Sequence, residues 1–131
     1  MTDKPPFAPT GLDHLLLQVT DMDAALAFYT KIVGCNLITP LPQFGMASLS
    51  CGVDLVDVGV AEGAWARQGP AGGTNLHHFC VALAPCPEAA VRDHLSRHGV
   101  AIEEERLEDS KLSFYIRDPS GNQVELRFQP A

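Results

Sequence analysis

Apolar and polar positions in the first half of the chain predict one strand, one helix and three shorter strands. Residues 11–19 are apolar and strand-like. Between residues 23 and 33 the apolar side chains recur at helical spacing, and Gly34 supplies a C-terminal stop. Short strands are then expected at about 36–39, 44–51 and 53–60.

The second half of the chain repeats this order. Strand-like residues 76–83 lead into a helix at about 88–98, which Gly99 stops. Residues 118–122 have strong turn chemistry, with a proline of fixed φ and a glycine free to take positive φ. Further strands are expected at about 100–105, 111–117 and 122–128. Each half therefore reads β-α-β-β-β.

Chemically distinctive residues occupy matching places in the two halves. His14 opens the first strand of one half and His78 the first strand of the other, at an offset of 64 (78 − 14). Asp57 and Glu125 lie in later strands at an offset of 68 (125 − 57). Nearly equal offsets indicate a duplicated unit. If the two copies face each other, four residues of metal-ligand type meet in one place.

The repeat predicts a fold class. A β-α-β-β-β unit covers one face of its sheet with the helix and leaves the other bare, and two units can curl their bare faces around a shared space. We expect an α+β fold in which two paired β-α-β-β-β modules form an open cup-shaped mixed sheet with the helices outside. The expected ranges are a flexible N-terminal arm (1–10) and one domain (11–131), divided into module 1 (about 11–60), a loop (61–75) and module 2 (about 76–128).

Composition narrows the functional class. A length of 131 residues suits one domain. The formal charge of −7 and the lack of a Lys/Arg cluster argue against a nucleic-acid partner. No apolar run approaches the roughly 18 residues of a membrane span. The start has no signal-peptide pattern and the four cysteines form no C-x-x-C pair, so we expect free thiols in a reducing cytoplasm.

Alternation along the strands predicts that a row of polar and titratable side chains lies on the face away from the helices. We call it the mixed row. Residues two apart on a strand share a face. By this rule His77 points away from His78, to a surface or packing position. A mixed row suits a lined cavity better than a plain core. The row contains His14, Gln18, His78, Cys80, Glu125 and Arg127.

Two imidazoles with one or two carboxylates form a suitable ligand set for Zn, Ni, Mn, Co or Fe. Three or four protein ligands leave positions for water and substrate. The alternative is that His14 and His78 are hydrogen-bonded sheet residues and that the two carboxylates are solvated charges. Asp57 is one methylene shorter than Glu125; it either ligates an ion, reaches it through water, or forms only a salt bridge.

Gln18 and four further side chains are candidates for substrate contact. Tyr115 either presents its hydroxyl to a substrate or packs in a hairpin. Arg127 either holds an anionic group or balances Glu125. Cys80 is either a soft neighbour of a metal or a small buried hydrophobe. Trp65, in a glycine-rich loop, either forms a lid or anchors that loop.

The chain resembles the vicinal oxygen chelate superfamily, also called glyoxalase/bleomycin resistance/dioxygenase, from about residue 11 to residue 128. The resemblance lies in residues 11–19, in residues 27–29 with Gly34, and in residues 116–126. The run Arg-Asp-Pro-x-Gly-Asn-x-Val-Glu-Leu in the last stretch is its most specific signature, and it is complete here.

This resemblance implies a divalent metal on the cup floor. It places the ligands on His14, His78 and Glu125, and the first-module carboxylate on Asp57, where metal-binding glyoxalases usually have glutamate. Without Asp57 the set matches that of extradiol dioxygenases and of fosfomycin-modifying transferases. Tyr115 falls where those enzymes often carry a tyrosine. Dimerisation is implied as well, and whether each cup closes within one chain or between two stays open.

The resemblance also implies a reaction class. A small substrate with two neighbouring oxygens would bind the metal, which stabilises the developing negative charge. Glu125 is the expected base that removes a proton from carbon, with Asp57 second. The expected function is thus a metal-dependent lyase, isomerase or oxygenase acting on a substrate with vicinal oxygens. The alternative is a metal-free small-molecule binding or sequestering protein of the bleomycin-resistance type.

Overall fold

The computed structural model describes residues 6, 8–10, 12–60 and 76–131. Most of the predicted flexible arm lies outside the described residues, as does the whole predicted loop at 61–75 with Trp65. In the described part the chain runs through a strand, a helix and three strands twice, in the predicted order.

The elements of each module have the following bounds. Module 1 contains β1 (His14–Val19), α1 (Met22–Ala27), β2 (Asn36–Leu41), β3 (Met46–Cys51) and β4 (Asp54–Val60). Module 2 contains β5 (Phe79–Ala82), α2 (Glu88–Arg97), β6 (Glu104–Glu108), β7 (Lys111–Arg117) and β8 (Gln123–Phe128). Among the described residues, none of the helices has the length and apolar character needed to cross a bilayer.

The first helix begins with a side-chain cap and changes geometry before it ends. The Asp21 carboxylate accepts a hydrogen bond of 2.9 Å from the Ala24 backbone N–H. After α1 the chain continues as a π-helical segment, Phe28–Val33, and stops at Gly34, whose φ is 95°. The predicted stop at Gly34 is confirmed. Hydrophobic spacing did not reveal the π geometry, because one wider turn barely changes which side chains face the core.

Two predicted strand boundaries were wrong. The sequence ended the second strand before Pro40, but β2 continues to Leu41. Within the described sheet β2 is an edge strand that pairs only with β3, and proline is tolerated there because its missing N–H can face solvent. The strand expected at 100–105 is instead β6, Glu104–Glu108.

The shift of β6 follows from its hairpin and its neighbours. Asp109 and Ser110 both have positive φ, 53° and 64°, and form the tight turn that sets the β6–β7 register. Val100 and Ile102, which looked strand-like, pack against the core before the strand begins.

The two modules have the same sheet topology. The strand orders are β1-β4-β3-β2 and β5-β8-β7-β6. In each, the first and last strands are parallel and the other neighbours antiparallel. The predicted α+β class with paired modules is confirmed, and the predicted cup-shaped sheet consists of two separate four-stranded sheets, which no strand pair joins within the described residues.

Alternation along the strands separates an apolar face from a mixed one. The apolar faces of both sheets meet the helices in one contiguous core. Phe114 and Phe128, for example, pack edge to face with ring centroids 5.5 Å apart. The opposite faces carry Glu125 and Arg127 of the predicted row, and also Asp57, which the row did not include.

A buried hydrogen bond joins the two modules. The Tyr29 hydroxyl donates to the Asp118 carboxylate at 2.7 Å, and the Tyr29 ring stacks near Phe79. The same carboxylate accepts the backbone N–H groups of Ser120 and Asn122. The turn that the sequence predicted at 118–122 therefore also anchors module 2 to the first helix.

We expect Tyr29→Phe to lower the free energy of unfolding by about 1.5–3 kcal/mol, because a buried carboxylate loses one donor while the ring contacts remain. Urea denaturation followed by circular dichroism measures this change. A loss below about 0.5 kcal/mol, the scatter typical of neutral surface substitutions, would contradict the anchoring role.

Candidate functional site

Module 1 brings His14 and Asp57 together on its mixed face. The parallel register sets Leu16 opposite Asp57, so His14 lies one step away along the same face. The Nε2 atom of His14 is 3.8 Å from Oδ2 of Asp57. The Asp57 side chain is almost fully buried, whereas the imidazole is about half exposed.

The second nitrogen of His14 is held by Asp13, which the sequence analysis did not single out. Nδ1 lies 2.8 Å from the Asp13 carboxylate. This hydrogen bond, with the charge of Asp57 as the next cause, raises the pKa of His14 above its ordinary value. A carboxylate on one ring nitrogen orients the other toward a ligand, and Nε2 here faces Asp57.

Module 2 brings His78 and Glu125 together in the corresponding place. The Nε2 atom of His78 is 3.1 Å from Oε1 of Glu125. Cys80 lies opposite Glu125 in the β5–β8 register, as Leu16 lies opposite Asp57 in module 1. The two modules therefore present equivalent imidazole–carboxylate pairs, as the matching offsets predicted.

Glu125 sits in a dense hydrogen-bond environment. The Ser113 hydroxyl donates to its Oε2 atom at 2.6 Å, and Tyr115 and Cys80 also hydrogen-bond to the carboxylate. Burial raises the pKa of Glu125, but the bonds from Ser113 and Tyr115 and the charge of His78 outweigh it and hold the pKa below its ordinary value. The carboxylate is therefore ionised at neutral pH. Ser113, fully buried, was missed because serine on a strand carries no distinctive pattern.

Tyr115 lies over this pair. Its ring meets the His78 ring edge to face with centroids 5.5 Å apart, and its side chain is buried. Arg106 hydrogen-bonds to the Tyr115 oxygen from the neighbouring strand, an arrangement the sequence analysis did not anticipate. The tyrosine thus packs in its hairpin and also aims its hydroxyl at the site, so both predicted roles are compatible with the structure.

Arg127 lies on the same face as Glu125 and reaches it through a serine. One guanidinium nitrogen donates to the Ser113 hydroxyl at 3.2 Å, and another donates to the Glu108 carbonyl at 3.3 Å. The structure shows no direct ion pair between Arg127 and Glu125 in the described residues. Its predicted contact with substrate stays a prediction.

The remaining candidates have mixed outcomes. Gln18 is half-buried on the mixed face and its Nε2 atom has no hydrogen-bond partner among the described residues. Desolvation and the charge of Glu125 raise the pKa of the Cys80 thiol to about 11, so Cys80 is a protonated thiol at neutral pH. Trp65 lies outside the described residues.

The expectation that His77 points away from His78 was wrong, although its exposed position agrees with the predicted surface location. Its Nδ1 atom lies 2.8 Å from Nδ1 of His78, and the two rings are neighbours. Strand β5 begins only at Phe79, so the alternation rule does not apply to the two histidines before it. His77 is therefore a neighbour of a candidate ligand.

The structure pairs the four predicted ligands two by two. In the described part of the chain no group of three or more His, Cys, Asp or Glu side chains is placed to hold one ion. An open cavity of about 810 Å³ lies between the modules, with His14 and Cys51 on one side and Phe79 and Cys80 on the other.

The donor set fits a divalent cation. Each pair offers one imidazole nitrogen and one carboxylate oxygen 3.1 or 3.8 Å apart, a spacing that an ion between them could bridge. The Oδ1 atom of Asp57 is buried without a hydrogen-bond partner among the described residues. A buried carboxylate oxygen without a partner is costly, and a cation would satisfy it.

We expect Asp13→Ala to lower the pKa of His14, since it removes the largest cause of the upward shift. A raised folded-state pKa adds stability that is present below about pH 6.5 and disappears as pH rises through the folded value. The variant should therefore lose stability at about pH 5–6 relative to the native chain, and the difference should vanish at high pH. An NMR titration of the His14 ring measures the pKa shift, with the exposed Asp23→Ala as control. An unchanged His14 titration would contradict the assignment.

Comparisons with known proteins identify the family of the chain. The profile of the Glyoxalase/Bleomycin resistance protein/Dioxygenase superfamily matches residues 11–126. The chain is 34% identical over 126 residues to 3-methylcatechol 2,3-dioxygenase of Pseudomonas putida, covering 88% of this chain but only 40% of that protein.

Two solved structures share the fold. A lactoylglutathione lyase from Agrobacterium tumefaciens superposes with a TM-score of 0.67 at 22% identity, covering 92% of this chain and 94% of that one. A glyoxalase/bleomycin resistance protein/dioxygenase from Nocardioides gives 0.67 at 18% identity, covering 95% and 86%. The chain belongs to the glyoxalase/bleomycin resistance/dioxygenase superfamily.

Proposed function

We propose that this protein is a divalent-metal-dependent enzyme that acts on a small substrate with two neighbouring oxygens. One observation carries the proposal: each module presents an imidazole–carboxylate pair at the same place on its bare sheet face. The Oδ1 atom of Asp57, which has no hydrogen-bond partner among the described residues, supports the same interpretation. If the histidines served only as hydrogen-bonded sheet residues, the same imidazole–carboxylate pair would not be expected in both modules.

We infer a homodimer, because the two pairs of one chain are not placed to hold one ion within the described residues, and each pair alone has fewer than the three protein ligands that catalytic metal sites commonly use. Within the described sheets β1 and β5 are edge strands. Leu12, just before β1, is 82% exposed, and Leu16, within β1, is 43% exposed. Edge strands with exposed apolar side chains favour pairing with another chain. A two-fold dimer with β1 of one protomer next to β5 of its partner would bring the two kinds of pair together.

His14 and Asp57 of one protomer would then hold the ion together with His78 and Glu125 of the partner subunit. Such an ion would supply Lewis-acid stabilisation of negative charge on the substrate oxygens. Imidazole and carboxylate ligands suit Zn, Ni, Mn, Co and Fe alike, so the ligand types do not select one metal.

Side chains of the protein would carry out proton transfer and substrate binding. Glu125 is ionised at neutral pH and is held by Ser113 and Tyr115, so it is poised to accept a proton from a substrate carbon. Asp57 is the second candidate base. The Tyr115 hydroxyl and the Arg127 guanidinium flank Glu125 and would contact oxygen atoms or an anionic group of the substrate.

The proposal extends to the class of substrate and to the cellular compartment. The dioxygenase similarity makes ring diols of the catechol type the first compounds to test for oxygenase activity, and carbonyl compounds with a neighbouring hydroxyl test the lyase and isomerase alternatives. The chain spans 40% of that relative, so the relative's activity is itself a proposal here. The acidic net charge of −7 and the four free cysteines support a small-molecule enzyme of the reducing cytoplasm without a nucleic-acid partner.

Protein purified without a histidine tag should contain about one divalent ion per chain by elemental analysis, since a symmetric dimer holds two ligand sets. His14→Ala and Glu125→Ala should each weaken metal binding by at least about tenfold. His98→Ala, exposed at the end of α2, is the matched control and should bind metal normally. A metal-free native protein that still binds small aromatic compounds would instead support the sequestering alternative.

Mixing the two variants tests the dimer directly. When His14→Ala and Glu125→Ala chains are unfolded together and refolded, heterodimers should contain one intact and one doubly altered site. Random pairing makes about half of all dimers mixed, so the mixture should recover about one quarter of the native metal content. A ligand set contained within one chain predicts no recovery, and that result would overturn the dimer.

A further inference from the structure

Two cysteines lie opposite each other at the end of the β2–β3 pair. Asn36 pairs with Ser50, and one further step in the same register sets Cys35 against Cys51. Directly opposed residues of antiparallel strands have Cα atoms about 4.5–5.5 Å apart, within the roughly 4.4–6.8 Å that disulfides accept. Each thiol shifts the pKa of the other, so the two side chains lie within interaction distance.

The two thiols differ in their access to solvent. Cys35 is 4% exposed, and its backbone N–H is held at 2.8 Å by the Tyr29 carbonyl where the first helix ends. Cys51 is half-buried and lines the open cavity between the modules. A small solute can therefore reach Cys51, while Cys35 lies behind it.

The interaction between the thiols shifts their pKa values in opposite directions, in the same sense as their difference in access. Donation from the Cys35 thiol stabilises the Cys51 thiolate and lowers the pKa of Cys51, against the opposing effects of burial and of Asp54. The same interaction, together with burial, raises the pKa of Cys35. The thiolate is the reactive form of cysteine, so the accessible member of the pair is also the nucleophilic one.

We propose that Cys35 and Cys51 form an oxidisable thiol pair, with hydrogen peroxide or a small organic peroxide as the oxidant, Cys51 as the attacking residue and Cys35 as the resolving residue. This site is separate from the four candidate metal ligands and does not depend on the proposed enzymatic function.

Oxidation would proceed in two steps. The Cys51 thiolate attacks one peroxide oxygen, the O–O bond breaks, and hydroxide or alkoxide leaves and takes a proton from solvent, which gives Cys51 sulfenic acid. The Cys35 sulfur then attacks the Cys51 sulfur, the S–O bond breaks, and the Cys35 proton leaves with the hydroxyl as water. The pair loses two electrons, the peroxide gains them, and one intramolecular disulfide remains.

The disulfide would tie the end of the first helix to the end of β3. It would close a loop of about 15 residues and restrict the unfolded chain. We therefore expect the melting temperature of the oxidised protein to rise by about 5–10 °C. Cys51 and Gly52 line the cavity wall near His14, so the cross-link would also fix that wall.

Treatment of the reduced native protein with a slight excess of hydrogen peroxide tests the proposal. Two of the four thiols should disappear, peptide mapping should find one Cys35–Cys51 cross-link, and dithiothreitol should reverse it. Cys35→Ser should instead accumulate Cys51 sulfenic acid, which dimedone traps. Cys51→Ser should leave Cys35 unoxidised, and the matched control Cys86→Ser should still form the cross-link.

A second measurement uses the unaltered protein, so it tests the proposal even if the cysteine variants fold poorly. At neutral pH, Cys51 in the native protein should react with iodoacetamide at least several times faster than Cys80. A cross-link between other cysteines, oxidation spread evenly over all four thiols, or a Cys51 no faster than Cys80 would each overturn the proposal.

Discussion

The parallel pairing of the first and last strands in each module is the constraint on which the candidate site depends. Because β1 lies beside β4 and β5 beside β8, a histidine at the start of β1 or just before β5 comes close to a carboxylate in the middle of the neighbouring strand. A helix of about ten residues connects each first strand to the next, and its apolar contacts take up the opposite face of the sheet. The polar row is thereby left on the side where a substrate can approach.

The two copies of this arrangement are not equivalent in detail. In module 2, Ser113 fixes one oxygen of Glu125, and Tyr115 covers the pair. Module 1 has Met46 and Ser48 at the corresponding places of its sheet, facing Gly59 and Asp57. No hydroxyl holds Asp57 within the described residues, and one of its oxygens is left without a partner. This asymmetry supports Glu125 as the positioned proton acceptor and Asp57 as the carboxylate whose free oxygen suits an ion.

Local sequence patterns were sufficient to predict the two modules, but they predicted four ligands in one place, whereas the structure arranges them in two pairs. Offsets near 64–68 revealed the repeat, and alternation placed the ligands on one face, because both depend only on strand geometry. Those patterns could not predict the contacts between side chains on different strands. Ser113 beneath Glu125, the Tyr29–Asp118 junction and the Cys35–Cys51 pair each depend on the register of strands that sequence spacing does not fix. His77 was misplaced because alternation was applied to residues that precede the strand.

The central claim is that each chain contributes two half-sites, and that each half-site joins the other kind of half-site of the partner subunit around one ion. A crystal structure of the manganese- or cobalt-loaded protein, with anomalous scattering collected at the absorption edge of the metal, tests it most directly. We expect one anomalous peak per protomer, within about 2.0–2.3 Å of nitrogen from His14 and His78 and of oxygen from Glu125, with the two histidines belonging to different protomers. Metal-loaded crystals with no peak between these residues, or with a peak at a separate surface site, would contradict the account.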